Sequence, residues 1–90
     1  MYKISYTERV KKDLVKLKRN EPNSFNKVVK LIDELTDHPT TGTGKPKQLS
    51  GDRTGQWSRR ISNKHRLIYL IDNENIVILL LSAYGHYNDK

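Results

Sequence analysis

Residues 56–81 read QWSRRISNKHRLIYLIDNENIVILLL and predict three consecutive β-strands. The first, Gln56–Ser62, alternates between two sets of side chains, which is the period of a strand with two different faces. The second, His65–Ile71, is apolar except at its start, and Asp72–Asn75 is a turn sequence. The third, Ile76–Leu81, is continuously apolar, as expected of a central strand that is covered on both faces. Short connections between these strands favour antiparallel pairing.

A short strand and two helices precede this stretch. Tyr2–Tyr6 alternates between apolar and polar side chains and predicts a half-buried strand. Thr7 is the predicted N-cap of a helix that ends near Asn20, because the chain then reaches a proline. A second helix starts at about residue 23 or 24, and His38-Pro39 stops it.

The predicted order is β-α-α-β-β-β-β, with one short strand near Lys47–Leu49 in the loop of residues 39–55. Because the strands cluster after the helices, the fold class is α+β. We expect two N-terminal helices on one face of a mainly antiparallel, twisted sheet, whose other face is partly open to a ligand. Ninety residues leave room for one core, so residues 1–90 are predicted to form a single domain.

The excess positive charge is concentrated in the middle of the chain. The net charge is +7, and residues 45–66 alone carry seven basic and one acidic side chain. A polyanion is the natural partner of such a patch, and the alternative is a surface that only aids solubility. The lack of cysteine excludes disulfides and thiolate chemistry. Without a long apolar stretch or a signal peptide, we expect a cytoplasmic protein with no membrane contact.

The residue types suit phosphodiester chemistry without a metal or another cofactor. The acidic residues form no cluster for metal ions, and two histidines, His65 and His86, lack a third ligand at a sensible spacing. RNA can be cleaved by its own 2′-hydroxyl if the protein supplies a base, cations beside the phosphate, and an acid for the 5′-oxygen. The candidate cations and acids are Arg59, Arg60 and Arg66, on adjacent predicted strands, and His86-Tyr87 after the last strand.

Each candidate also has a structural interpretation. A strand arginine is commonly a solvated edge residue, and His86-Tyr87 near a C-terminus is commonly at the surface. His65 suits a structural or turn position. Trp57 suits either the core or the stacking of a base, which contributes ~1–3 kcal/mol. From the residue types alone these alternatives stay open.

Four segments occur in a recognisable order along the chain. They are Gly44-Lys45-Pro46-Lys47-Gln48-Leu49, Trp57-Ser58-Arg59-Arg60-Ile61, His65-Arg66-Leu67-Ile68-Tyr69 and Gly85-His86-Tyr87. In order and spacing they resemble the YoeB/Txe toxins of the RelE/ParE superfamily, and the predicted helices match in layout and length. The resemblance implies a RelE-like fold and the toxin of a bacterial type II toxin–antitoxin pair. Such toxins are ribosome-dependent endonucleases that cut mRNA in the ribosomal A site by 2′-hydroxyl attack, without a metal.

The resemblance also implies roles for individual residues. Arg66 would stabilise the transition state, His86 would be the general acid, and Tyr87 would orient the substrate or share that role. Lys47 stands where these toxins carry the glutamate proposed as general base, so it would act as a base or as a phosphate clamp. The predicted RNA-binding residues are Lys45, Trp57, Arg59, Arg60 and Lys64.

The implied partners are mRNA in the A site, ribosomal RNA, and an acidic antitoxin that covers the basic face. Operator DNA would be contacted only through the antitoxin, and a homodimer is expected because relatives form one. Lys47 also supports an alternative function, that of a binding protein instead of an enzyme. In that alternative the chain is a catalytically weak module that binds RNA, the ribosome or the antitoxin.

Overall fold

Residues 1–85, which the computed structural model describes, contain five strands and two α-helices, with a short 3₁₀ turn at Gly51–Arg53. In chain order the elements are β1 (Lys3–Tyr6), α1 (Glu8–Asn20), α2 (Pro22–Leu35), β2 (Lys47–Gln48), β3 (Gln56–Arg60), β4 (Arg66–Asp72) and β5 (Val77–Ser82). Every predicted element is present, and its ends coincide with the predicted ones or differ from them by at most three residues.

Local sequence sets where the helices begin. The Thr7 side chain accepts a hydrogen bond from the Val10 N–H at 3.1 Å and donates to the Leu80 carbonyl at 2.8 Å. The cap of α1 is thereby tied to β5. Helix α2 begins at Pro22, before the predicted start, because proline is well tolerated in a first turn whose N–H groups need no helical partner. Only Glu21 separates the two helices.

The five strands form one sheet in the order β1-β5-β4-β3-β2. Strand β1 runs parallel to β5, and all other neighbouring pairs are antiparallel. The predicted α+β class and the mainly antiparallel sheet are therefore confirmed. Strand β5 is interior, as predicted, but only Ile78 and Leu80 are fully buried, so its second face is less covered than its apolar sequence indicated.

The core lies between the helices and one face of the sheet. It contains Val10, Leu17, Val28, Leu31 and Leu35 from the helices and Leu67, Tyr69, Ile78 and Leu80 from the strands. We call this side of the sheet the helix-side face. The opposite side, which carries Lys47, Ser58, Arg60, Arg66 and Ile68, is called the open face. Because side chains alternate along a strand, this division decides which predicted site residues can meet.

Candidate active site

Three predicted site residues share the open face. Arg60 on β3 lies directly opposite Arg66 on β4, and Lys47 on β2 lies directly opposite Ser58 on β3. Residues opposite one another point to the same face, with Cβ atoms about 4.5–5.5 Å apart, and diagonal neighbours are about 7–8 Å apart. Lys47 is a diagonal neighbour of Arg60, so the long side chains of these three cations can reach one phosphate group.

The charges of this group are not neutralised by nearby acids. Lys47 and Arg60 are exposed, and their side chains have no hydrogen bond or ion pair within residues 1–85. Like charges directly opposite one another destabilise a sheet. The Arg60–Arg66 pair therefore costs stability that a bound anion would restore.

Arg66 is held more firmly than Arg60. It is half-buried, and its Nη1 donates to the Ser62 carbonyl at 2.7 Å and to the His65 carbonyl at 3.2 Å. These bonds fix the guanidinium at the turn between β3 and β4, where Lys64 is exposed. Nε and Nη2 have no partner in the described part of the chain and are available for an anion.

Gly44 brings the lysine-bearing loop against β3. Its φ is +86°, and a Cβ at this position would lie 3.0 Å from the Arg60 carbonyl oxygen. The Arg60 N–H donates to the Gly44 carbonyl at 2.7 Å. Lys45, which is exposed, follows with a φ of 51°, in a region that non-glycine residues seldom adopt. The close approach of Gly44 places Lys45 and Lys47 beside the end of β3.

Arg59 is not part of this surface, and the prediction that it binds RNA does not fit its position. Its side chain is fully buried on the helix-side face. Nη1 donates to Glu34 Oε1 at 2.8 Å, Nη2 donates to the Thr41 carbonyl at 2.7 Å, and Nε donates to the Tyr69 hydroxyl at 3.2 Å. Further bonds reach the carbonyls of His38 and Thr43. Arg59 therefore fixes the loop that leads to Gly44.

The alternation of side chains along β3 indicates that Arg59 is buried. It groups Arg59 with Trp57 and Ile61, both apolar, on one side of the strand. A buried arginine needs a partner of opposite charge, and the partly exposed Glu34 on α2 supplies it. No local pattern connects these two residues.

Trp57 also lies on the helix-side face, away from Lys47, Arg60 and Arg66. It is half-buried, packs against the core and lines a cavity of about 380 Å³ together with Tyr2, Pro39 and Ile71. A base held between the three open-face cations could not stack on this ring. The proposed stacking role of Trp57 is therefore not supported by its position, and the core interpretation is.

One carboxylate and one phenol beside the buried Arg59 have shifted pKa values. Hydrogen bonds from Thr43, and then from Arg59, lower the pKa of Glu34. Burial raises the pKa of Tyr69, although the neighbouring Arg59 opposes the rise. Tyr69 donates its hydroxyl hydrogen to the Pro39 carbonyl at 2.7 Å. This polar cluster is satisfied by its own members and belongs to the scaffold of the site.

His86 and Tyr87, the predicted general acid and its companion, lie outside the described residues. The chain up to Gly85 is hydrogen-bonded to the segment that contains His65 and Arg66. The Arg66 N–H donates to the Gly85 carbonyl at 3.0 Å, and the Gly85 N–H donates to His65 Nδ1 at 2.8 Å. The residue bonded covalently to His86 is thus attached to the strand that carries Arg66.

Within residues 1–85, no group of three or more histidine, aspartate or glutamate side chains is placed to hold a metal ion. No helix of that range has both the length and the apolar composition needed to cross a membrane.

Comparison with known proteins decides the family. Residues 6–87 match the family model described as "YoeB-like toxin of bacterial type II toxin-antitoxin system". The chain belongs to this family. The resemblance seen in the four sequence segments is thereby confirmed, and the protein is a YoeB-family toxin of a type II toxin–antitoxin system.

Individual relatives agree over nearly the whole length. Toxin YoeB of Synechocystis sp. is 34% identical over 85 residues, which are 94% of this chain and 96% of the relative. A YoeB/ParE toxin structure from Agrobacterium tumefaciens superimposes with a TM-score of 0.88 at 30% identity, covering 94% of this chain and 99% of that one. The sequence match and the structural match therefore support the same family and the same fold.

Two similar structures come from Staphylococcus aureus. One is a YoeB dimer, with a TM-score of 0.82, 29% identity and coverage of 96% of this chain and 98% of that one. The other is a heterotetrameric YoeB–YefM toxin–antitoxin complex, with a TM-score of 0.81, 28% identity and coverage of 97% and 99%. The YoeB-like fold is thus found both as a dimer and bound to an antitoxin.

Proposed function

We propose that this toxin is a ribosome-dependent mRNA endonuclease that cleaves RNA by attack of the 2′-hydroxyl. The observation that carries the proposal is the open-face group of Lys47, Arg60 and Arg66, three cations without acidic partners among residues 1–85. A phosphodiester in the transition state gains negative charge on its oxygens, and fixed cations beside it lower the barrier. The single domain of residues 1–90 would carry this activity.

The reaction proceeds by displacement at phosphorus. The 2′-oxygen loses its proton and bonds to phosphorus, the bond from phosphorus to the 5′-oxygen breaks, and a 2′,3′-cyclic phosphate forms. Arg66 stabilises the charged phosphorus centre, and Arg60 binds the phosphate. His86 donates the proton that the 5′-oxygen takes up, and Tyr87 orients the substrate. Lys45 and Lys64 contact neighbouring phosphates.

Lys47 acts in this scheme as a phosphate clamp. Its side chain is exposed to solvent on the open face, where a phosphate can reach it. Its position diagonal to Arg60 suits a contact with the same phosphate. The 2′-hydroxyl proton then passes to water or to a group of the ribosome.

A substitution series at Lys47 separates the clamp from a base. Lys47→Arg keeps the cation but cannot give up a proton, so a clamp retains most of the single-turnover cleavage rate on mRNA-programmed ribosomes. Lys47→Ala is expected to lower that rate about 100- to 1,000-fold, which is the usual effect of removing one donor to a transition-state oxygen. Lys12→Ala on the exposed side of α1 removes the same charge elsewhere and is the matched control. Loss of cleavage in Lys47→Arg would assign the base role to this lysine instead.

Mapping of transcripts tests the activity itself. Primer extension after induced expression should reveal cuts at fixed positions within codons, and these cuts should vanish in Arg66→Ala and His86→Ala. Growth arrest without such cuts would refute the endonuclease. The second candidate, a weak binding module for RNA, the ribosome or the antitoxin, predicts that result, and Lys47 in place of the glutamate favours it.

We also propose the partners that this function requires. The basic open face would contact mRNA and ribosomal RNA in the A site of a cytoplasmic ribosome. An acidic antitoxin would cover the same face, and operator DNA would be reached only through that antitoxin. The antitoxin complex and the dimer of the Staphylococcus aureus relatives support an antitoxin partner and a homodimer for this chain.

A further inference from the structure

Residues 83–85, here called the C-terminal anchor, are held by side chains from two other parts of the chain, α1 and the turn before β4. The Ala83 N–H donates to Oδ2 of Asp13, a buried residue of α1, at 2.9 Å. The Tyr84 ring contacts the His65 ring, at a centroid distance of 4.3 Å, and the Lys16 Nζ, at 4.2 Å from its centroid. Gly85 is bound through both its N–H and its carbonyl. Each residue of the anchor therefore has its own contact.

His65 is the centre of this arrangement. It is 3% exposed and both of its ring nitrogens are occupied. Nδ1 accepts the Gly85 N–H at 2.8 Å, and a backbone N–H can only donate, so Nδ1 carries no proton. The ring proton is therefore on Nε2, which donates to Glu21 Oε2 at 2.7 Å. His65 must be neutral in one defined tautomer for both bonds to exist.

Glu21 gives the ring a fixed support. It is the single residue between α1 and α2, and its own N–H donates to the Leu17 carbonyl at 2.7 Å. Its carboxylate is partly exposed, and the hydrogen bond from His65 lowers its pKa, so it is ionised at neutral pH. Lys64 also faces this carboxylate and favours its charge. The chain Glu21–His65–Gly85 thus connects the helix junction to the anchor.

We propose that His65 is a positioning residue of the toxin: it contacts no RNA, but it holds Gly85 beside Arg66 so that the predicted acid, His86, follows from a fixed point. This inference rests on the proposed endonuclease function. The positioning role explains why His65, although it lies in the basic segment of residues 45–66, is turned toward the helix-side face and away from the open face.

Two variants of similar shape each keep one hydrogen bond of the His65 ring and remove the other. In His65→Asn the side-chain oxygen replaces Nδ1 and keeps the acceptor for Gly85, but the contact with Glu21 is lost. In His65→Gln the longer side chain reaches Glu21, but the acceptor for Gly85 is lost. We expect His65→Gln to lower kcat on programmed ribosomes about 10- to 100-fold without raising KM, because a displacement near 1 Å can have that effect and the open face is unchanged. His65→Asn should retain most of the wild-type kcat.

A second readout does not depend on activity. Hydrogen exchange of the Gly85 amide, measured by NMR on the full chain, should be slow in the wild type and in His65→Asn and fast in His65→Gln. Val28→Ala, a core truncation on α2 that removes no hydrogen bond, is the control for lost stability and should lower neither kcat nor protection of Gly85 at temperatures where it is folded.

The outcomes separate this inference from the function on which it rests. Wild-type kcat in His65→Gln with an unprotected Gly85 amide would overturn the positioning role while leaving the endonuclease intact. Equal loss of kcat in Val28→Ala and His65→Gln would also overturn it, because the effect would then follow stability alone. A wild-type protein that cleaves no ribosome-bound mRNA would refute the endonuclease and with it the catalytic purpose of the anchor.

Discussion

Replacing Arg59 with methionine should destabilise the toxin strongly, whereas the same change at Arg60 should not. Arg59 is fully buried and binds Glu34, Tyr69 and loop carbonyls, and methionine has a similar length but no donors. Breaking a buried ion pair by removing one partner costs about 3–5 kcal/mol. Glu34 is 33% exposed and keeps its two hydrogen bonds from Thr43, so its charge is not left isolated. We therefore expect a loss near the lower limit, about 3 kcal/mol.

Such a loss is large for a domain of this size. A chain of 90 residues has a free energy of unfolding of roughly 5–13 kcal/mol. At about 4–8 °C per kcal/mol, the melting temperature of Arg59→Met should fall by roughly 12–24 °C. The one tryptophan, Trp57, is half-buried two residues away, so its fluorescence reports unfolding in guanidinium chloride. Circular dichroism of the same samples checks that the transition is two-state.

The neighbouring residue is the matched control. Arg60 is exposed and has no side-chain partner among residues 1–85, so Arg60→Met should change the free energy of unfolding by less than about 0.5 kcal/mol. The reasoning would be refuted if Arg59→Met lost less than about 1 kcal/mol.

Three further predictions concern the open face, the loop beside it and the pH range of the fold. Arg60→Met should reduce the slope of log affinity for RNA against log salt by about one, as expected when one phosphate contact is lost, and filter binding at several salt concentrations measures it. Gly44→Ala should lower the free energy of unfolding by about 1–3 kcal/mol, because its φ is +86° and its Cβ would press on the Arg60 carbonyl; an unchanged denaturation midpoint would contradict this. The folded-state pKa of Glu34 is lowered and that of Tyr69 is raised. Both groups therefore stabilise the fold fully at pH values between the usual pKa of a carboxyl group and the usual pKa of a phenol. These contributions are lost as pH falls through the folded value of Glu34 or rises through that of Tyr69, above about pH 10, and thermal melts across the pH range measure both limits.

Much of the fold was predictable because local patterns carry it. The alternation in residues 56–62 predicted β3, and Thr7 was correctly identified as the cap of α1. The charge of residues 45–66 and the four short segments indicated the family, which the comparisons confirm. The placement of Arg60 and Arg66 on adjacent strands also followed from the sequence, and the structure adds that the two residues lie directly opposite one another.

The remaining features depend on contacts between residues far apart in sequence. The same alternation that predicted β3 placed Arg59 and Arg60 on opposite faces, but it did not say which face the helices cover. That choice made Arg59 a buried partner of Glu34 and turned Trp57 away from the open-face cations. The pairing of Glu21 with His65, and of His65 with Gly85, has no local signal either.

By itself, the sequence determined the secondary structure, the α+β class, the location of the positive charge and the family. These are properties of neighbouring residues, because strand and helix periods and caps act over a few positions. Only the tertiary structure decided which of the basic residues face an incoming anion and which hold the scaffold. Packing of the helices on one face removes that face from water, so Arg59 must find its partners inside, while Lys47, Arg60 and Arg66 lie on the other face, where Lys47 and Arg60 are exposed.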